Sequence, residues 1–181
     1  MASWSSIARR VRVPLGFAFA AFYLWFARPT RASILLGAAL TIPGLVIRGL
    51  ASGHLQKNEQ LATTGPYAHT RNPLYLGSLV LATGFAVASR SGWIAAGLIL
   101  VFLAIYIPVM RAEESFLREH FPEYAEYARQ VPWLLPRLSV SNSKRGDFSW
   151  DLYWKHREYN ATLGALAMMA ALAVKLCFGF R

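Results

Sequence analysis

The sequence predicts an all-α, polytopic membrane protein with about five transmembrane helices, and three observations carry that expectation. Of 181 residues, 55% are hydrophobic and only 15% charged, with a mean hydropathy of +0.33, which is too apolar for an ordinary soluble domain. Uncharged runs cover Val13–Ala27, Ala32–Ile47, Asn72–Ser89, Ser91–Met110 and Tyr159–Val174, each bilayer-sized or close to it. The runs mix Leu, Ala and Gly without period-two alternation, so they read as helices and not as barrel strands.

With flanking Arg and Lys snorkelling, the spans fall at about 12–27, 32–50, 73–89, 92–110 and 160–180, in a single domain over 1–181. The first is short and follows Arg9, Arg10 and Arg12; without a small-x-small cleavage site before Arg28 it reads as a span and not a signal peptide. The second holds Pro43-Gly44 and the fourth holds Pro108, residues that remove backbone hydrogen bonds and favour kinks with room for a cavity, although membrane helices also tolerate them in simple packing. In the third, Gly77 and Gly84 lie seven apart on one smooth face, open to close approach by a partner helix or a ligand. Ser139–Ser149 is a polar link into the fifth.

Nineteen Lys and Arg against nine Asp and Glu give +10, which in a soluble chain would point to nucleic acid and here points to topology. Counting Arg48 with the loop it precedes, the N-terminus, the 51–72 loop and the 111–159 segment carry fourteen of the nineteen. The positive-inside rule therefore puts these segments, and the polar chemistry they hold, in the cytoplasm. No nucleic-acid partner is expected, and the sequence sets no oligomeric state. Cys177 is alone and no Cys/His cluster exists, so neither an intramolecular disulfide nor a structural metal is expected. P-loop, nucleophile-elbow, zincin and dinucleotide motifs are absent.

Two constellations remain. In the first, Gly65-Pro66 turns the chain, Asn72 suits an N-cap and Pro73 the first turn of the third span. With Arg71 beside it, this helix start suits an anion; the plainer reading is a well-capped membrane helix with a snorkelling Arg. In the second, Arg111 to Arg118 continues through Phe121, Tyr124 and Tyr127 to Val131-Pro132-Trp133-Leu134-Leu135-Pro136. Leu117, Phe121 and Tyr124 recur at helical spacing and lie against the membrane or the bundle. Glu113 and Glu114 point about 100° apart, so one can face a cleft while the other pairs Arg118 at i,i+4; a solvated charged face is the alternative. Arg48 snorkels or meets an acidic group, the four histidines show no ligand spacing, and the tryptophans fit interfacial belts.

Together the two constellations resemble the integral-membrane methyltransferases that include the isoprenylcysteine carboxyl methyltransferases and the phospholipid methyltransferases. Gly65-Pro66-Tyr67, Arg71-Asn72-Pro73, Tyr75 and Gly77 look like the family's Gly-x-Tyr…Arg-His-Pro-x-Tyr-x-Gly run. Glu113-Glu114, Tyr124, Tyr127 and Val131-Pro132-x-x-Leu135-Pro136 look like its Glu-Glu and Tyr-x-x-Tyr…Val-Pro-x-x-Leu-Pro run. The resemblance covers about residues 55–137, and Asn72 stands where the family has histidine, which removes any role for an ionisable imidazole there. It implies S-adenosylmethionine at the cytoplasmic ends of the third and fourth spans, held by Tyr67, Arg71, Asn72, Pro73, Tyr75, Gly77, Glu113 and Glu114. It further implies a lipid-like or lipidated acceptor entering from the bilayer. Arg71 and Glu114 are expected to be catalytic together with Arg111, the first choice over Arg118 for orienting an anionic acceptor. Carboxyl O-methylation is the leading expectation, because the Val-Pro-x-x-Leu-Pro tail looks closest to the isoprenylcysteine branch. Phospholipid N-methylation comes second. A sterol reductase using a nicotinamide cofactor explains the paired motifs less well, and a silent membrane scaffold is the alternative outside enzymes.

Overall fold

The computed structural model describes residues 19–56, 59–137 and 147–179, and among them every regular element is helical. Helical residues 19–26 (α1) lead to α2 (Arg31–Ser52), a 3-10 turn at Gly65–Ala68, α3 (Pro73–Ser89), α4 (Gly92–Val101), a π turn at Phe102–Tyr106, α5 (Ile107–His120), α6 (Tyr124–Gln130), α7 (Trp150–Lys155) and α8 (Tyr159–Phe178). Three described helices are long and apolar enough to cross a membrane: Arg31–Ser52, the continuous Gly92–His120, and Tyr159–Phe178. Pro73–Ser89 is equally apolar in character but 17 residues long. Of the expected first span only 19–26 is described, and the rest of it lies outside the described residues, as does most of the Ser139–Ser149 link.

The tightest packing is between α2 and α3, and four glycines explain it. Gly37 and Gly44 on α2 meet Gly84 and Gly77 on α3 backbone to backbone: a Cβ at Gly37 would lie 2.6 Å from the Gly84 carbonyl oxygen, and one at Gly77 would lie 2.8 Å from that of Gly44. Dispersion between closely approaching backbones holds such pairs where lipid removes the hydrophobic drive. Of the two partners open to the Gly77–Gly84 face, the helix has taken it. α2 itself runs unbroken through Pro43, and Gly44 beside it serves this contact.

The remaining helices close around this pair. Tyr23 of α1 donates to the Phe85 carbonyl at 2.8 Å, and Lys175 of α8 donates to the Leu24 carbonyl at 2.6 Å, satisfying an end carbonyl of α1. Tyr23, Ala27, Ala88, Ile94 and Leu172 form the buried core between α1, α3, α4 and α8. Outward faces stay apolar, with Leu35, Ile99, Leu100 and Leu166 each more than half exposed, as a hydrocarbon solvent requires.

The expected kink near Pro108 takes the form of a π turn one step earlier. Pro108 has no N–H for the Ala104 carbonyl and its ring would crowd that oxygen; the helix widens so that the Ile107 N–H reaches the Phe102 carbonyl. The widened helix then continues to His120, carrying Glu113 and Glu114 past the span.

Candidate active site

The site is built where the two sequence constellations meet. Gly65 sits at φ +56°, a left-handed conformation that costs glycine little, and a Cβ there would lie 2.5 Å from the His54 ring. The 3-10 turn it opens buries Tyr67 and Ala68 and delivers residues 69–72 alongside 131–137. The two segments are joined by a seam of hydrogen bonds. The Arg71 N–H donates to the Pro132 carbonyl at 2.9 Å, the Arg137 N–H to the His69 carbonyl at 3.0 Å, and the Thr70 hydroxyl to the Leu134 carbonyl at 2.9 Å. Tyr127 adds a bond from its hydroxyl to the Tyr67 carbonyl at 2.7 Å.

Asn72 occupies the N-cap position of α3 with Pro73 next to it, but its side chain makes no capping bond. Its amide instead donates to the Trp133 carbonyl at 2.9 Å. The cap expected of Asn72 is thus corrected to a tether: the Val-Pro-Trp-Leu segment supplies a nearby carbonyl that an amide donor satisfies, and the side chain turns to it.

The pairing of the two glutamates is corrected as well. Glu114 turns to Arg71, not to Arg118, with Nη1 and Oε1 2.9 Å apart, and accepts a 2.9 Å hydrogen bond from the Tyr124 hydroxyl. Arg118 lies over the Tyr124 ring at 5.8 Å instead. A partly buried guanidinium needs a carboxylate far more than an exposed Arg does, so the long-range partner prevails over the local one. Burial, then the hydrogen bond to Glu114, pushes the Tyr124 phenol up to about 12 against the opposing pull of Arg71. Burial also raises the Tyr67 and Tyr127 phenols, so both remain neutral donors.

A half-open cavity of about 200 Å³ lies against this seam. Tyr67, Arg71, Asn72, Pro73, Tyr75 and Glu113 all line it, and Phe116, Leu117 and Phe121 supply an apolar wall. Glu113 stands within reach of a bond from the Tyr75 hydroxyl. Glu114 stands behind Arg71, outside the lining. Gly77 faces α2, and Arg111 is exposed outside the cavity. Sequence reasoning missed Leu55, Gln56, Gln60, Leu61 and Ala62, which close the cavity from the loop after α2; they carry no motif, and only the folding of that loop over the seam brings them in. Arg71 Nε is buried without a partner, an orphaned donor at the wall of the cavity.

Among the described residues the elements are all helical, three helices are long and apolar enough to cross a membrane, and an aromatic, charge-bearing cleft lies beside them, which defines a membrane protein. The sequence profile of the phospholipid methyltransferase family matches residues 34–124, half of the chain, and the chain belongs to that family. It is 41% identical over 98 residues to the cobalt-zinc-cadmium resistance protein CzcN of Cupriavidus metallidurans, covering 54% of this chain and 44% of that protein. It is 40% identical over 89 residues to the nickel-cobalt-cadmium resistance protein NccN of Alcaligenes xylosoxydans xylosoxydans, covering 49% of this chain and 42% of the relative. The chain thus spans less than half the length of these curated relatives. No solved structure matches it.

Proposed function

We propose that this membrane protein uses S-adenosylmethionine to methylate a lipid-like acceptor, with the N-terminus and the cleft on the cytoplasmic side, and that the methyl goes to a carboxylate oxygen. The carrying observation is the cavity at the seam, where both family-like motifs contribute to one wall. Its donors and acceptors fit the cofactor. The orphaned Arg71 Nε would be satisfied by a carboxylate, Glu113 by an ammonium or ribose hydroxyls, and Tyr67, Phe116 and Tyr127 offer rings to an adenine.

When bound, the cofactor supplies a methyl group on a sulfonium. The chain's part is to hold and dry the site. Glu114 neutralises Arg71 and fixes its guanidinium; Tyr124 fixes Glu114; the Asn72 to Trp133 tether holds the start of α3 against the wall. Transfer to a carboxylate asks for alignment and exclusion of water and needs no base, and among the described residues no histidine lines the cavity. An amine acceptor would have to lose a proton first, for which Glu113 is the one lining carboxylate among the described residues. Phospholipid N-methylation is the second reading, and the name of the matching family favours it.

The relatives' names tie those proteins to metal resistance. Among the described residues no three of His, Cys, Asp or Glu gather as a metal site.

Calorimetric titration of S-adenosylmethionine tests the site. Glu113→Gln loses a charge-assisted bond, about 1.5–3 kcal/mol or one to two decades in affinity; unchanged affinity there and in Asn72→Ala overturns it. Incubation with methyl-labelled cofactor and membrane lipid then identifies the acceptor atom. Label released as methanol by mild alkali supports the ester, and label retained on an amine-bearing phospholipid refutes it.

A further inference from the structure

One aromatic segment lies outside both the cleft lining and the buried core. α7 runs from Trp150 to Lys155, and six helical residues rise only about 9 Å, far too little to span a membrane. It is fastened instead to the end of α2. The Ser149 N–H donates to the Gly53 carbonyl at 3.0 Å, His156 Nδ1 donates to the Ser52 carbonyl at 3.2 Å, and the Tyr153 ring lies beside Gly49, where an added Cβ would be 3.6 Å away. Arg157 then turns the chain at φ +54°, a costly conformation for a residue with a Cβ, and Glu158 behind it is the acidic group that Arg48 of α2 meets, at 2.5 Å. One residue further on, the spanning helix α8 begins.

The other face of α7 is unpartnered. Trp150 and Trp154 stand four residues apart, hence on one side of the helix, and are 65% and 57% exposed. An indole pairs a large apolar body with one N–H donor, which suits the head-group layer better than either water or hydrocarbon. Across 150–158, Asp151 and Glu158 offset Lys155 and Arg157, so the segment carries no net charge to draw an acidic or a basic partner. Its position at the entry of α8 into the bilayer places the two indoles at a lipid surface.

From this face two links run to the cleft. In the first, Trp150 meets Phe148 edge to face at 4.9 Å, and Phe148 meets His54 at 6.0 Å. The His54 ring in turn lies against Gly65, which opens the turn leading to Tyr67 in the cleft. In the second, Lys155 Nζ stands 3.6 Å from Glu59 Oε1. Between Glu59 and Gly65, Gln60, Leu61 and Ala62 wall the cleft, so α7 reaches that wall at both of its ends.

We propose that Trp150 and Trp154 form a docking surface for the lipid head-group layer at the cleft end of the bundle, and that α7, seated there, holds the 59–65 wall of the cleft in place. The attraction is that of aromatic rings for the interface and is indifferent to lipid charge.

The full chain is placed in nanodiscs of phosphatidylcholine brominated either next to the head group or near the chain end. Tryptophan fluorescence is compared between wild type and the double variant Trp150→Phe, Trp154→Phe. The signal that the variant loses should be quenched most by bromine next to the head group, less by bromine near the chain end and least by iodide in the buffer, and the order should persist when phosphatidylglycerol replaces part of the lipid. Quenching by iodide alone overturns the surface, and so does shielding from both quenchers, which would mean that a second copy or another protein covers it. The wall is read separately, in a Cys177→Ala background, by the rate at which Ala62→Cys reacts with a soluble thiol reagent. That rate should rise with Trp150→Ser and Trp154→Ser together and return to its starting value with Trp150→Tyr and Trp154→Tyr, since tyrosine also favours the interface. A rate unmoved by the serines, or raised equally by the tyrosines, overturns the hold on the wall.

Discussion

Arg71, Glu114 and Tyr124 make one unit, and its members differ in what their loss exposes. Glu114→Gln leaves a mostly buried guanidinium without its carboxylate, which costs about 3–5 kcal/mol, whereas Tyr124→Phe removes one hydrogen bond worth about 1–2 kcal/mol. Thermal unfolding in detergent should therefore rank Glu114→Gln well below Tyr124→Phe; equal midpoints would show that the pair contributes nothing. Tyr124 also gives the unit a pH limit. Its phenol ionises near 10 when unfolded and about 12 when folded, so its contribution is complete below pH 10 and is lost as pH climbs from 10 through 12. The phenolate absorbance of wild type minus that of Tyr124→Phe should rise late in that window, and a midpoint near 10 would contradict the buried placement. The sequence made Glu113 and Glu114 visible as a pair pointing apart. It hid which partner Glu114 takes, because an i,i+4 neighbour is read from spacing while Arg71 comes near only through the seam. Asn72 was legible as the start of a helix; its tether needed the Trp133 carbonyl, which only the fold brings.

At the scale of elements, the smooth face of α3 is legible in advance from the seven-residue spacing of Gly77 and Gly84, although only packing shows that α2 takes it. Gly77→Leu drives a side chain into the backbone of α2 and should split the pair, lowering the unfolding temperature and, on the proposed function, S-adenosylmethionine binding with it. Gly97→Leu is the control, since an added Cβ there meets nothing within 4 Å. A Gly77→Leu chain as stable as Gly97→Leu would disprove the contact. As helices, the segments expected at 32–50, 73–89 and 160–180 end within a residue or two of those bounds. The fourth overran its expected end at 110 because Glu113, Glu114 and Arg118 end the apolar run but favour helix, so composition and conformation part company there.

For the whole molecule, the charge distribution predicts that one end of the bundle faces the cytoplasm. In a Cys177→Ala background, an impermeant thiol reagent applied to intact cells should label Gly92→Cys, at the short outer connection, and spare Ser115→Cys near the cleft until the membrane is opened. The reverse pattern would invert the orientation and move the cleft to the other compartment.

One dimension of the fold has a bearing on its surroundings. The helix from Gly92 to His120 rises about 1.5 Å per residue, which places Glu113 roughly 30 Å from its start, about the thickness of a hydrocarbon core. Any thicker membrane must tilt less of this mast out of the acyl region, drawing Glu113 toward hydrocarbon, while a thinner one lifts it into the headgroups. Because Arg71 stands two residues before α3, which has 17 residues, the two sides of the cleft answer unequally to such mismatch. The acyl-chain length of the host lipid thereby becomes a variable that sets how the cleft is assembled.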